Sequence, residues 1–270
     1  MSFIFPEKRS PEDNRDWIAE SIQTANRNVR SGRDVVSLPE VLDLRPYLPL
    51  PRNQGSRGTC AAFSSSAIKE YQEFKDYGFA GNMSPEYIYY FRENKPDEGM
   101  YGRDVMKILT QYGACTEALL PYHDKDVETI PDELIEKGRK HVIKNYAQVT
   151  TLEGLKQALY DNGPCYISFP VYENRPEVWR AKVGEISRGG HAMVVVGYNT
   201  KGFIIRNSWG SGWNGNGYVI YPYEEFGVHW EIWTLIDAET LTDDGDVEDE
   251  EYRRRIVWYR RLMLCLRPGN

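Results

Sequence analysis

Three stretches concentrate the side chains able to break and make covalent bonds. In the first, Asn53-Gln54-Gly55-Ser56-Arg57-Gly58-Thr59-Cys60-Ala61-Ala62-Phe63 runs straight into residues 64–77. There Phe63, Ala67, Tyr71 and Phe74 recur at helical spacing, while Lys69, Glu70, Glu73 and Lys75 fall mostly on the opposite face. Cys60 is thereby placed at a helix N-terminus. Unpaired backbone N–H groups and the positive end of the helix dipole favour the thiolate there, and the thiolate is the nucleophile. A cysteine alone reads better as a small buried hydrophobe. Two later stretches change the balance, because residues 189–198 supply His191 and residues 206–213 supply Asn207. A cysteine nucleophile needs a base within hydrogen-bond reach and a third group that orients the base, and Cys-His-Asn is one such set.

His191 follows Cys60 by 131 residues and Asn207 by 147, the downstream spacing of papain and cathepsin enzymes. With Gln54 six residues ahead of Cys60 and the block Asn207-Ser208-Trp209-Gly210, the chain resembles the papain-like cysteine protease family in four blocks kept in the family's order. The likeness extends from about Leu38 to Asp237 and describes a compact variant without the long prosegment. It implies that Gln54 completes the oxyanion hole with the Cys60 backbone N–H, a contribution of roughly 3 kcal/mol per donor. It also implies that His191 is the general acid and base, that Asn207 orients it, and that Trp209 covers their hydrogen bond. Substrate-binding positions carried over on the same basis are Gly99, Gly190, Ala192 and Trp213. Small Gly190 and Ala192 would leave room for an apolar or aromatic side chain. Two positions depart from the family pattern: Ala61 replaces the usual aromatic residue, and Arg57 stands where secreted members carry a disulfide cysteine.

The elements that must position these groups divide the chain into an α+β pattern. A helix is expected over residues 13–29, with a stripe of Trp17, Ile18, Ile22, Ala25 and Val29 ended by Ser31-Gly32. Prolines 46, 49 and 51 then carry an extended approach to Gln54. Ser84-Pro85 signals another helix start, and residues 103–111 form a third helix stopped at Gly113. From Asn145 onward short alternating runs predict strands at 146–149, 165–169, 193–197, 202–206, 218–221 and 232–236. One helix interrupts them at residues 152–161, capped by Thr150 with Glu153 and closed by Gly163-Pro164. The resemblance makes this a two-lobed papain-like fold, with a helical lobe at about 48–145 and an antiparallel β-barrel-like lobe at about 146–237. The cleft lies between them within a catalytic domain of residues 38–240.

Residues 1–37 read as a cleft-covering or pro-segment in which Phe3, Ile4 or Phe5 plugs the substrate pocket, or else as a strip packed on the back of the domain. Residues 241–270 form a tail with seven acids at 243–251 followed by six arginines among apolar residues. The arginines are expected to fold back on the acids, with contact to an anionic membrane or a partner as the alternative.

A net charge of −7 over 270 residues argues against general nucleic-acid binding, which needs a basic field. Cys60, Cys115, Cys165 and Cys265 form no Cys-x-x-Cys pair and no set with histidine at ligand spacing, so no metal and no cofactor is expected. Their scatter fits buried thiols in the cytoplasm or another reducing compartment, with no signal-peptide core or membrane-length apolar run to direct the chain elsewhere. The expected function is peptide-bond hydrolysis through a thioester on Cys60, with peptides or proteins as substrates. Acyl transfer to an amine on the same scaffold, and a non-catalytic papain-like binding protein, are the alternatives. His123, His141 and His229 are expected to stay outside the site.

Overall fold

The computed structural model describes residues 5–21, 37–172 and 176–237. Helix α1, Cys60–Tyr77, begins at Thr59 and ends at Gly78 in the left-handed conformation, with the Gly78 N–H bonded back into the last turn. Helix α2, Pro85–Tyr90, has proline in its first turn, and the Ser84 side chain accepts from the Tyr87 N–H at 3.1 Å. The helical half is completed by α3, Gly102–Gln111, and the short α4, Asp132–Arg139.

The remaining chain builds an antiparallel sheet from β1 (Leu42–Asp43), β2 (Ile143–Gln148), β3 (Cys165–Pro170), β4 (Gly190–Asn199), β5 (Gly202–Arg206), β6 (Tyr218–Pro222) and β7 (Glu231–Asp237). Strand order is β2-β7-β3-β4-β5-β6, with β1 also paired to β4. Helix α5, Leu152–Asn162, lies between β2 and β3 in sequence. Both faces of the sheet are covered, and β4 shows how. Its Met193 and Val195 enter a core shared with Leu155 and Leu159 of α5, while Ala192, Val194 and Val196 enter a second core shared with Ala61, Ile68 and Met106 of α1 and α3. The period-2 alternation of a strand thus joins the two lobes. His191 and Ala192 stand at the start of β4, with Ala192 in the core shared with the helical half and His191 stacked on Trp209.

Four sequence expectations need correction. Residues 13–18 are a turn and an isolated bridge, and helix appears only from Ala19. The Asp13 carboxylate accepts from both the backbone and the guanidinium of Arg15, and the Trp17 carbonyl accepts the Gln148 N–H at 2.7 Å, so tertiary and local partners replace helical ones. The remainder of that expected helix, from Ile22, lies outside the described residues. The charged face of α1 is not solvated. Lys69, Glu70 and Glu73 are buried, paired respectively with Asp237, with Arg52 and with His141, because the sheet and α2 cover what the pattern assigned to water. The N-cap of α5 is Thr151 and not Thr150: its hydroxyl accepts from Gly154 N–H, and Glu20 Oε1 accepts the N–H groups of Thr150 and Thr151. Helix α4 was not foreseen at all. The tail at 241–270, with Cys265, lies outside the described residues, as do Phe3 and Ile4.

Candidate active site

Cys60 opens α1 and is fully buried, as a neighbour of Ala192 across the cleft. His191, on β4, places Nε2 2.8 Å from Asn207 Oδ1. Trp209 stacks on the imidazole at 4.6 Å between centroids and 28° between planes, and Trp213 meets Trp209 edge-on at 5.5 Å. The Asn207 Oδ1 also accepts the Ser208 N–H at 2.7 Å, which fixes the amide with its oxygen toward the histidine. With Nε2–H donating to that oxygen, Nδ1 is left as the basic nitrogen.

Gln54 is held at both ends of its amide. Its Oε1 accepts from Ser208 Oγ at 2.6 Å and its Nε2 donates to the Arg57 carbonyl at 2.9 Å, leaving one of two N–H donors uncommitted by these bonds. The loop beneath it is pinned by Arg57, whose guanidinium pairs with Glu86 at 2.6 Å and Asp126 at 2.7 Å, and by Tyr122, whose hydroxyl donates to the Gln54 carbonyl at 2.8 Å. Ser208 and Tyr122 were not singled out from sequence. The first sits inside the Asn-Ser-Trp-Gly block, whereas the second gave no local signal.

The substrate side of this arrangement is occupied by the protein's own N-terminal segment. The Phe5 carbonyl accepts the Gly190 N–H at 3.0 Å, and the Phe5 ring lies 6.1 Å from Trp209 and 6.3 Å from His191. Pro6 lies on Gly58, where an added Cβ would fall 2.3 Å from its ring. A Cβ on Gly99, which has φ +82°, would fall 2.2 Å from the Pro6 carbonyl oxygen, so only glycine lets that strip approach so closely. Lys8 N–H faces the Met100 carbonyl at 3.5 Å. Gly99 and Gly190 therefore flank one extended segment, with Ala192 buried in the same core as Cys60 and Tyr166. The side chain entering this space is not Phe5 but Glu7, which accepts a hydrogen bond from the Tyr166 hydroxyl. The expected apolar pocket is thus polar at its floor, with Tyr166 and Glu231 as lining residues that sequence reasoning missed.

Burial sets the protonation of the pair. The Cys60 thiol is pushed far up by desolvation and then by the Glu7 carboxyl, against the downward pull of the Ala192, Ala61 and Cys60 backbone N–H groups. Desolvation lowers His191 to about 4, against its bond to Asn207. Burial beneath the segment therefore works against the thiolate expected from the helix start, favouring the neutral thiol and the neutral imidazole. His141 and His229 bond to Glu73 and Tyr221, away from this site. Among the described residues, no cluster of three or more His, Cys, Asp or Glu is arranged to hold a metal ion.

A family model described as papain family cysteine protease matches residues 38–229. The chain belongs to the papain family of cysteine proteases. It is a cysteine-type peptidase, a hydrolase, with the α+β papain-like fold. Among papain-family relatives, an uncharacterized peptidase C1-like protein of Acanthamoeba polyphaga mimivirus is 30% identical over 215 residues, covering 68% of this chain and 69% of that protein. Cathepsin B-like CP3 of Giardia intestinalis is 28% identical over 223 residues, covering 72% and 73%. In structure, xylellain, a cysteine protease from Xylella fastidiosa, superimposes with a TM-score of 0.73 at 23% identity, covering 87% of this chain and 96% of that one.

Proposed function

We propose that this papain-family peptidase hydrolyses peptide bonds of peptides or proteins through a thioester on Cys60, and that residues 5–8 hold it latent. The observation that carries the chemistry is the His191 Nε2 to Asn207 Oδ1 bond of 2.8 Å, stacked under Trp209, because it turns Nδ1 into the available base. In this reading the Cys60 thiol passes its proton to His191 Nδ1 and the sulfur attacks the scissile carbonyl carbon. The oxyanion is received by the Gln54 amide and the Cys60 backbone N–H. The tetrahedral centre collapses, the C–N bond breaks, and the leaving amine takes the proton from His191. Water then gives a proton to His191 and its oxygen to the thioester, releasing the acid and restoring the thiol.

Latency is supported by the position of the N-terminal segment, which fills the space a substrate needs and leaves Cys60 without solvent access. Iodoacetamide labelling tests both parts. Cys60 in the full chain should label slowly, and substitutions that loosen residues 5–8 should speed labelling and peptide cleavage together. Fast labelling of the unaltered chain at a rate unaffected by those substitutions would refute latency. A loosened chain that labels at Cys60 and cleaves no peptide would refute hydrolysis.

A further inference from the structure

Two stretches of the helical half meet the strap in the cleft. Gly58, in the loop 53–59 that carries Gln54, and Gly99, in the strip 97–100, both lie against Pro6. Neither stretch contains a cysteine, so no disulfide ties them, and charged side chains do so instead. Arg57 of the loop, Glu86 and Tyr89 of α2, and Arg92 just beyond α2 are all buried. Asp126, on the segment between α3 and α4, joins them: its Oδ1 accepts from Arg57 Nη2 at 2.7 Å and its Oδ2 accepts from Arg92 Nη2. Glu86 bonds to Arg57 at 2.6 Å and 3.1 Å, so of the two carboxylates it is Asp126 that bonds to both guanidiniums. Burial raises the Asp126 carboxyl, but the hydrogen bonds from Arg92 and Arg57 outweigh it and hold the group below the ordinary carboxylate value. The charge that joins the two arms is therefore present at neutral pH.

Each guanidinium holds a different part of the cleft. The Arg57 carbonyl accepts from Gln54 Nε2 at 2.9 Å and from the Thr59 N–H at 2.9 Å, so the seating of Arg57 sets how the Gln54 amide is turned. On the other arm, Arg92 Nε donates to the Asp97 carbonyl at 3.1 Å and Nη1 donates to the Tyr89 carbonyl at 3.2 Å. The Arg92 guanidinium lies 3.9 Å from the centroid of the Tyr89 ring, with that of Arg57 at 5.2 Å, and the Tyr89 hydroxyl accepts the Gly99 N–H at 3.3 Å. One arm thus ends on an oxyanion donor, and the other on backbone that lies along an extended peptide.

We propose that Asp126 is a positioning residue of this peptidase: by joining Arg57 to Arg92 it holds the Gln54 loop and the Gly99 strip at one spacing, so that a peptide lying on the strip presents its scissile carbonyl to the Gln54 amide. A misplacement of about 1 Å between such parts can cost about 10²-fold in rate. The inference rests on the peptidase reading above.

The test uses the full chain loosened by Phe5→Ala and Glu7→Ala, and compares cleavage of a fluorogenic peptide with iodoacetamide labelling of Cys60. Alkylation forms the C–S bond as iodide leaves and makes no oxyanion, so it reports the cysteine and histidine without the Gln54 loop. Asp126→Asn is near-isosteric at a side chain 45% exposed, and its amide can accept from one guanidinium but turns its NH2 on the other. It should lower kcat/KM by about 10-fold or more, through a lower kcat and a higher KM, with labelling within about 2-fold of the loosened parent. Asp126→Glu, which keeps the shared charge, should recover most of the loss. Cleavage and labelling reduced by the same factor would show a general support of the fold and overturn the inference, as would a kcat/KM within about 2-fold of the parent; the peptidase reading survives either result. If Asp126→Asn does not fold, Tyr89→Phe decides, since it keeps the ring and removes the acceptor for Gly99: a raised KM at unchanged kcat supports the inference, and no change overturns it. A loosened parent that labels at Cys60 and cleaves no peptide overturns the peptidase reading and this inference with it.

Discussion

With residues 5–8 lying across the site as a strap, burial favours the neutral forms of the Cys60 thiol and the His191 imidazole, and the Glu7 carboxyl adds to the effect at the thiol. A helix start and three backbone N–H groups favour the thiolate, yet complete burial and an adjacent carboxyl outweigh them. Cys60→Ala in a loosened chain should lower turnover by at least about 10³-fold while leaving the fold unchanged. Asn207→Ala should cost less, because it removes orientation of the imidazole and spares the nucleophile. Equal losses in steady-state assays would contradict the separate roles. Glu7 adds a pH dependence of definite sign. Its carboxyl is raised in the closed form, so the strap is most stable below the ordinary carboxylate value and loosens as pH rises through the raised one. Cys60 labelling should therefore climb more steeply with pH in the parent than in Glu7→Gln, which has no proton to lose. Identical pH profiles would remove Glu7 from the control of opening.

At the scale of elements, the local signals that were legible in the sequence are those with a short-range cause. Ser84-Pro85 starts α2 and Gly113 follows α3 because capping and the left-handed backbone, here at φ +68°, act within a few residues. Cys60 and Asn207 could be tied together only through known spacing, since β4 and the loop after β5 bring His191 and Asn207 to the helix from far along the chain. The misread elements have long-range causes. The ion-paired side of α1 looked solvated because its partners Arg52, His141 and Asp237 are distant in sequence, and α4 escaped notice because only Leu134 and Gly138 of its residues are buried. Arg57 belongs to the same class. It stands in a position that reads as a missing disulfide, yet its guanidinium ties the Gln54 loop to Glu86, Asp126 and the His123 carbonyl. Removing one partner from such a buried pair costs roughly 3–5 kcal/mol. Arg57→Ala should show a loss of that order in urea unfolding, and a change below about 1 kcal/mol would mean the loop is held by Tyr122 and Ser208 alone.

Across the whole molecule, the N-terminal segment occupies both places that the sequence offered as alternatives. Residues 5–8 lie in the cleft, whereas Asp16 pairs with Arg103 of α3, Trp17 accepts from Gln148 of β2, Ala19 enters the core and Glu20 caps α5. One strip of chain therefore fastens both lobes and then crosses between them. Its back half is an anchor, and anchoring gives the front half an effective concentration in the millimolar range, enough for weak contacts to keep the cleft filled. The two halves are separable by deletion. Removing residues 1–12 takes away the strap with Ser10 and keeps the anchor, so Cys60 labelling should accelerate with little change in melting temperature. Removing residues 1–21 also exposes the Ala19 site and leaves the N–H groups of Thr150 and Thr151 without Glu20, so melting temperature should fall while labelling gains little more. If the shorter deletion leaves labelling unchanged and the longer one accelerates it, closure depends on how the anchored lobes sit and not on the strap in the cleft.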